Sequence, residues 1–383
     1  MTFRLRLNII VAVTPQRGTR SRSGEGPVSI RDVARSAGVS HMTVSRVVNG
    51  YPGVTESTRI RVLDAIAGLG YRPSRMARDL SLGRSRSVTV MTSNTTLYGR
   101  AALLQGVEEA ARAAGFLVSI GLLESTRPAA VREAVDRACD STSGGVIVIA
   151  FDLAGVRALR EIPPGTPTAA ALEIKDVRDR RQYPSVSLDD RAAAVAATEH
   201  LLALGHRTVH YIGLPSSTSS SARAQGWRAA LRRAGAPVPD AIASGWTAEA
   251  GYEAAAPLAR DRSVTAILCG NDDLALGALH ALREAGRAVP DSVSVVGFDD
   301  IPSAAFFAPP LTTIRLDFVG LGRDCFALLH HALDPVGPPP AATAAAPQLI
   351  VRETTGRAPR RRTSGRSTGT YPPASRRVGP DRK

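Results

Sequence analysis

The sequence predicts an α/β chain in which an N-terminal three-helix helix-turn-helix head-piece precedes a two-lobed domain of parallel sheets. Three observations lead there. Residues 29–71 hold two short helical patterns around a tight glycine turn, with a third helix behind them. From Ser87 onward, apolar β-rich runs alternate with alanine-rich amphipathic stretches, and such alternation implies parallel strands covered by helices on both faces. At 383 residues the chain can bury two or three sizeable cores.

The head-piece reads SIRDVARSAGVSHMTVSRVVNGYPGVTESTRIRVLDAIAGLGY. Ser29 can cap a first helix, and Asp32 three places on can complete an approximate capping box. Val33, Ala34 and Ala37 share a helical face, and Gly38 stands where a sharp turn needs a residue without Cβ strain. Val39 packs under that turn. Ser40 caps a second helix with Val44, Val47 and Val48 inward, which leaves His41, Met42, Ser45 and Arg46 outward. Asn49 and Gly50 end it. A third helix is expected from near Thr55 to Gly70, burying Ile60, Leu63, Ile66 and Leu69. Two short helices with polar groups at the start of the second form the layout of a DNA-binding helix-turn-helix. A small helical bundle with no ligand has the same local pattern.

The distribution of charge favours a polyanion partner at one end only. The net charge is +14 and the pI about 10.7. Residues 1–26 carry +4, residues 27–85 carry +5 and residues 357–383 carry +8, whereas residues 86–356 carry −3. The basicity belongs to the head-piece and the two tails. Cys139, Cys269 and Cys325 are far apart and odd in number, with no CxxC or Cys/His cluster, so neither a disulfide framework nor a metal site is expected. No cofactor is implied. The apolar run from Leu7 to Val13 after a basic start imitates a signal peptide, but no clean cleavage site follows it. Residues 1–26 are read as a disordered extension, or as the product of a start codon placed too far upstream. No stretch of about 18 apolar residues occurs, so no membrane span is expected.

The elements DVA, AGVS, TVSRVVN and GYRP occur in order and ungapped. With them the head-piece resembles that of the lactose/galactose repressor family of bacterial transcription regulators. The resemblance implies that the second helix lies in the major groove of double-stranded operator DNA. It places DNA contacts at Ser29, Ser40, His41, Met42, Thr43, Ser45, Arg46 and Asn49. Arg46 would hold a phosphate or a guanine edge, while His41 and Met42 would set sequence preference. Met42 stands where lactose-responsive members carry glutamine, so a different operator is expected.

After Pro73, Ser74 can cap a short helix carrying Arg75 and Arg78, with Gly83 and Ser85 loosening the chain beyond. By composition, residues 74–85 are either an ordinary linker or a hinge helix. The family resemblance implies the hinge helix, with Leu80 as a wedge in the minor groove, an insertion that unstacks a base step and bends the duplex. A helix this short does not persist alone, so its formation would be coupled to DNA.

In residues 86–356 the candidate strands are VTVMTS, FLVSIGLL, GVIVIA, TVHYIGL, AILCG and VSVVGF. Candidate helices span 101–114, 129–139, 191–204, 222–234, 248–260, 274–285 and 321–333. Together with the head-piece, the segments LLALGHR, SARAQGW and AILCGNDDLALGALHALREAG, followed by VSVVGFDDIPSAAFFAPPLTTIRLDF, resemble the periplasmic-binding-protein-like effector domain of the same family. The resemblance covers roughly residues 28–355 and implies three crossings between lobes, near Ser187, Arg315 and Pro347. Two lobes closing on a ligand by hinge motion form a sensor.

Sugars need bidentate or planar polar groups for their hydroxyls and an apolar face to lie against. Arg223, Asn271, Asp299 and Trp246 supply that chemistry at or after the ends of candidate strands, where open α/β sheets bind ligands. Asn271 is equally a turn residue, and Asp299 with Asp300 a cap for a following helix. Trp227 is read as core. The resemblance adds Ser219, Phe318 and Asp152 as further ligand contacts. SARAQGW and SGWTAE look closer to lactose-responsive members than to purine- or ribose-sensing ones, which points to a galactoside or similar glycoside. Leu316, apolar where those members are polar, and the serine-rich loop at 216–221 depart from that pattern.

The leading reading is a cytoplasmic homodimer that represses carbohydrate-utilisation genes and is released by a sugar, two head-pieces meeting a near-palindromic operator. The resemblance leaves the sign open, since a co-repressor uses the same machine. A transport binding protein would need export and no helix-turn-helix. An enzyme is the third reading, because Gly365-Arg366-Ser367-Thr368-Gly369 matches G-x-S-x-G, but no strand precedes it in the Pro/Arg/Ser-rich tail at 357–383. That tail lacks leucine heptads and is too poor in apolar residues to pack. His206, His280, His330 and His331 have no metal spacing and are expected on helix surfaces or in caps.

Overall fold

The computed structural model describes residues 28–72, 86–139, 144–173, 183–215 and 221–359. The expected extension at 1–26, the hinge residues Arg75, Arg78 and Leu80, the candidate contact Ser219 and the tail beyond 359 lie outside them. The chain divides into two compact units, Met1–Arg84 and Ser85–Lys383. None of the described helices is long and apolar enough to cross a membrane.

In the first unit, α1 spans Ile30–Ala37, α2 His41–Val48 and α3 Glu56–Leu69. The Asp32 carboxylate accepts from both the backbone N–H and the hydroxyl of Ser29, at 3.0 and 2.7 Å, which anchors the start of α1. Gly38 closes α1 in the left-handed region at φ 65°, a conformation that burdens any residue with a Cβ. The core of this unit is small: Val33, Ala34, Ala37, Val44, Val47, Val62 and Ala65.

The expected inner face of α3 is corrected here. Ile60 and Leu63 are 51% and 50% exposed and Leu69 is exposed too, while Val62 and Ala65 are buried. Only Ile66 of the expected set packs partly against the core. Helix spacing accounts for this: Val62, Ala65 and Ile66 lie at i, i+3 and i+4 on one stripe, while Ile60 and Leu63 fall off it.

The second unit opens with a five-stranded parallel sheet. Its strands are β1 (Ser87–Thr92), β2 (Leu117–Leu122), β3 (Gly145–Ala150), β4 (Thr168–Leu172) and β5 (Ser185–Val186), in the order β2-β1-β3-β4-β5. Helices α4 (Tyr98–Ala113), α5 (Pro128–Ala138) and α6 (Leu153–Glu161) connect its first four strands. Every residue of β3 is buried, as expected for a central strand covered on both faces. The edge strand β2 leaves Leu117, Ile120 and Leu122 exposed.

A second parallel sheet runs β7-β6-β8-β9, from β6 (His210–Gly213), β7 (Ile242–Ala243), β8 (Ala266–Cys269) and β9 (Ser294–Val296). Around it lie α7 (Asp190–Ala203), α8 (Ala222–Arg233), α9 (Ala248–Arg260) and α10 (Asp272–Glu284). After β9 comes β10 (Thr313–Arg315). The chain then returns to the first sheet as α11 (Phe318–Leu333), which packs on α4, β3 and β4, before β11 (Gln348–Ile350) pairs antiparallel with β10. The two sheets and their helices are the two lobes.

Glycines set how closely several helices approach, Gly106 and Gly226 among them. A Cβ at Gly106 of α4 would overlap the Val319 carbonyl of α11, and one at Gly226 of α8 would overlap the Arg191 carbonyl of α7. These contacts fix the first turns of α7, α8 and α11, which carry functional side chains. Helix α6 and strands β4, β5, β7, β10 and β11 were not expected from the sequence; most are two to five residues long, too short for a periodic signal.

Candidate effector cleft and nucleic-acid interface

On α2 the Ser40 hydroxyl accepts the Thr43 N–H at 3.1 Å and lies 3.0 Å from the Thr43 hydroxyl. Asn49 donates to the Ser45 hydroxyl at 3.3 Å. Ser29, Ser40, Thr43, Ser45 and Asn49 therefore have side chains engaged in building the helix ends. His41, Met42 and Arg46 are exposed on α2, Met42 to 56%.

In the second unit, a cleft between the lobes encloses about 810 Å³ of space, part of it open to solvent, within the usual size range of small-molecule sites. Arg223, Trp246, Asn271, Asp299 and Phe318 all line it. Arg223, from the first turn of α8, is its hub. Its Nε donates to Asp190 at 3.0 Å, one terminal nitrogen to Asp299 at 3.3 Å and the other to the Gly270 carbonyl. The guanidinium also stands 4.2 Å from the centre of the Phe298 ring. Burial works against its charge, but Asp190 and Asp299 more than offset that and hold its pKa above the ordinary value.

Asp299 is pushed well above the ordinary carboxylate range by burial, with Arg223 pulling the other way. Asp299 and Asp300, weighed also as caps for a following helix, do not act as one: both have positive φ, 105° and 54°. Asp300 instead holds Arg315 and Arg352, each at 2.7 Å. Beneath the cleft, Asp272 accepts from Thr313 at 2.5 Å and from the Ile301 N–H at 2.8 Å, and burial pushes its pKa up to about 7.

Asn271 does both jobs weighed for it. It caps α10 through the Leu274 N–H at 2.8 Å and donates to the Trp246 carbonyl at 3.1 Å while lining the cleft. Phe318 opens α11 and meets Tyr98 edge-on at 6.2 Å. Trp227 is core: fully buried, stacked on Tyr211 and donating to the Val209 carbonyl.

Asp152 does not line the cleft. It caps α6 through the Gly155 N–H at 3.0 Å and binds Arg100 at 2.6 Å and the Ser93 hydroxyl. Its ion-pair partner Arg100 lines the cleft beside it. His206 is likewise no surface residue. It is 3% exposed and bonds Thr265 and Ser294 at 3.0 and 2.9 Å, tying the α7–β6 connection to the second sheet.

Sequence reasoning missed Arg100, Tyr98, Glu173, Asp190 and Asp273, all of which line the cleft. Arg100 had a signal. It falls in the α4 stripe with Leu103, Val107 and Ala111, all buried, and a charge in an apolar stripe needs a partner. Burial lowers its pKa against the pull of Asp152.

A helix-turn-helix unit and, in the same chain, a two-lobed domain whose mostly apolar cleft carries a few charged and amide groups define the class of ligand-responsive transcription regulators. The model for bacterial regulatory proteins of the lacI family matches residues 29–74, and that for a periplasmic binding protein-like domain matches residues 198–355. The lactose operon repressor of Escherichia coli K12 is 34% identical over 300 residues, 78% of this chain and 82% of that protein. The HTH-type transcriptional regulator GalR of Salmonella typhimurium LT2 is 32% identical over 332 residues, 85% of this chain and 94% of that protein. The crystal structure of the lac repressor dimer bound to operator and the anti-inducer ONPF superposes with a TM-score of 0.76 at 30% identity. That match covers 86% of this chain and all of the other. The chain belongs to the lacI family of bacterial regulatory proteins, as its head-piece and effector-domain motifs implied.

Proposed function

We propose that this chain is a homodimeric, cytoplasmic repressor of carbohydrate-utilisation genes, released from its operator by a galactoside or similar glycoside. The observation that carries the reading is the convergence of Arg223, Asn271, Asp299, Trp246 and Phe318 on one interlobe cleft. Charged and amide groups there can hold sugar hydroxyls, and aromatic rings can lie against a sugar face. The exposed His41, Met42 and Arg46 of α2 are suited to reading base edges and phosphates. In the lac repressor structure the partners are operator DNA and a small ligand on a dimer, which supports the same division of labour here. The exposed apolar residues Leu117, Ile120 and Leu122 of β2, with Leu276 and Phe306 in the other lobe, offer surface for a second copy to cover.

For release, the sugar must bind the weakly DNA-binding form better, and operator DNA must weaken sugar binding by the same factor. The test is a gel-shift titration on the DNA flanking the protein's own gene. A pseudo-palindromic site shifted by the protein and freed by a neutral sugar is the expected result. Equal affinity for all duplexes, or sugar that only tightens the complex, contradicts it.

A further inference from the structure

Arg100 has no role yet beyond its ion pair. Its side chain is 3% exposed and lines the cleft. Its guanidinium carbon stands 4.9 Å from the centre of the Trp246 ring. Arg100 belongs to the lobe of the first sheet and Trp246 to that of the second, so this contact spans the cleft. It also covers one face of the ring expected to serve as a sugar platform. Asp152 takes one terminal nitrogen. The Nε is buried with no hydrogen-bond partner among the described residues. A buried donor on a charged group is costly to leave unpaired.

Arg223 is committed differently, because each of its three nitrogens already donates to protein oxygen. Around these two cations the cleft wall carries Glu173, Asp190, Asp273 and Asp299. Both guanidiniums are in ion pairs, so an entering carboxylate or phosphate meets more negative than positive charge. A hydroxyl group fits both demands, since it accepts from Arg100 and donates to a carboxylate.

We infer that Arg100 is the specificity-determining residue of the first lobe: it latches onto Trp246 across the cleft and donates its Nε–H to an oxygen of a neutral, polyhydroxylated ligand, and the site rejects ligands bearing a carboxylate or phosphate. This rests on the glycoside reading above and adds the charge class of the ligand and the residue that reads it.

The experiment uses the purified full chain. Neutral galactosides and glucosides are titrated by calorimetry and by tryptophan emission, which reports Trp246 beside the core Trp227. Each sugar that binds is then compared with its uronic acid and its 6-phosphate. Arg100→Met keeps much of the stacking bulk and removes the donors. Pairing it with Asp152→Asn removes the carboxylate left without a partner and keeps a capping side chain. Circular dichroism and unfolding temperature check the fold of both. The expected result is that the neutral sugar binds wild type best and binds both variants roughly 10- to 100-fold more weakly. Undiminished binding by the folded variants, or tighter binding of any charged derivative to wild type, overturns the inference and leaves the glycoside reading standing. If no sugar of any charge binds wild type, the glycoside reading itself fails and takes the inference with it.

Discussion

The Nε of Arg223 donates to a carboxylate oxygen of Asp190 at 3.0 Å, joining the first turns of α8 and α7 inside the cleft. The two residues are 33 positions apart, and the side chains of both are almost fully buried. Asp190 thereby aims the guanidinium toward Asp299 and the ligand space.

Arg223→Ala is expected to abolish release by sugar. It also leaves Asp190 and Asp299 without their cation, and breaking such a pair costs about 3–5 kcal/mol. Arg223→Lys keeps the charge but loses the fork of donors, so it should fold better and still respond poorly. Gel-shift titration of both variants reads the effect; normal release at the wild-type sugar concentration would place the pocket elsewhere.

Met42→Gln is expected to change the preferred half-site while leaving the salt dependence of binding nearly constant. Neither side chain carries charge, so the number of neutralised phosphates stays the same. Selection from a randomised half-site library checks this, and an unaltered consensus would count against α2 as the reading helix.

Asp272 makes stability depend on pH. Its folded-state pKa is about 7 against an ordinary value of 3.8. Between those values the folded chain holds the proton that the unfolded chain has lost. Stability therefore falls as pH rises through that window and levels off above it. Melting temperatures of wild type and Asp272→Asn from pH 4 to 8 should converge or cross, with the steeper decline in wild type. Parallel curves would dismiss Asp272 as the source.

Gly226→Ala places a methyl group against the Arg191 carbonyl. Helices α7 and α8 must separate, at a cost of about 1–3 kcal/mol, and the Arg223–Asp190 bond lengthens with them. Both a lower melting temperature and a weaker sugar response are expected. A variant that melts like wild type would show that the helices adjust freely.

Much of the fold was legible because its signals are local. Ser29–Asp32, Gly38 and Ser40 act within four residues and mark the ends of α1 and α2. Helix α9 falls where its periodicity placed it. The face of α3 was misread because Ile60, Leu63, Ile66 and Leu69 repeat every three residues and so drift around a helix, whereas Val62, Ala65 and Ile66 share one stripe. Asp152 shows the limit of such local reading: a carboxylate after a strand also serves as a helix cap, as it does for α6.

By itself the sequence determined the class of each unit and the kinds of side chain near the cleft, through capping, turn chemistry and the alternation of strand and helix. Tertiary structure alone decided which of those side chains face one another. Arg223 meets Asp299 across 76 positions and Arg100 meets Asp152 across 52. Such pairings depend on where strand ends and helix starts come together after the sheets have formed and the helices have packed. No propensity acting over a few residues contains that information.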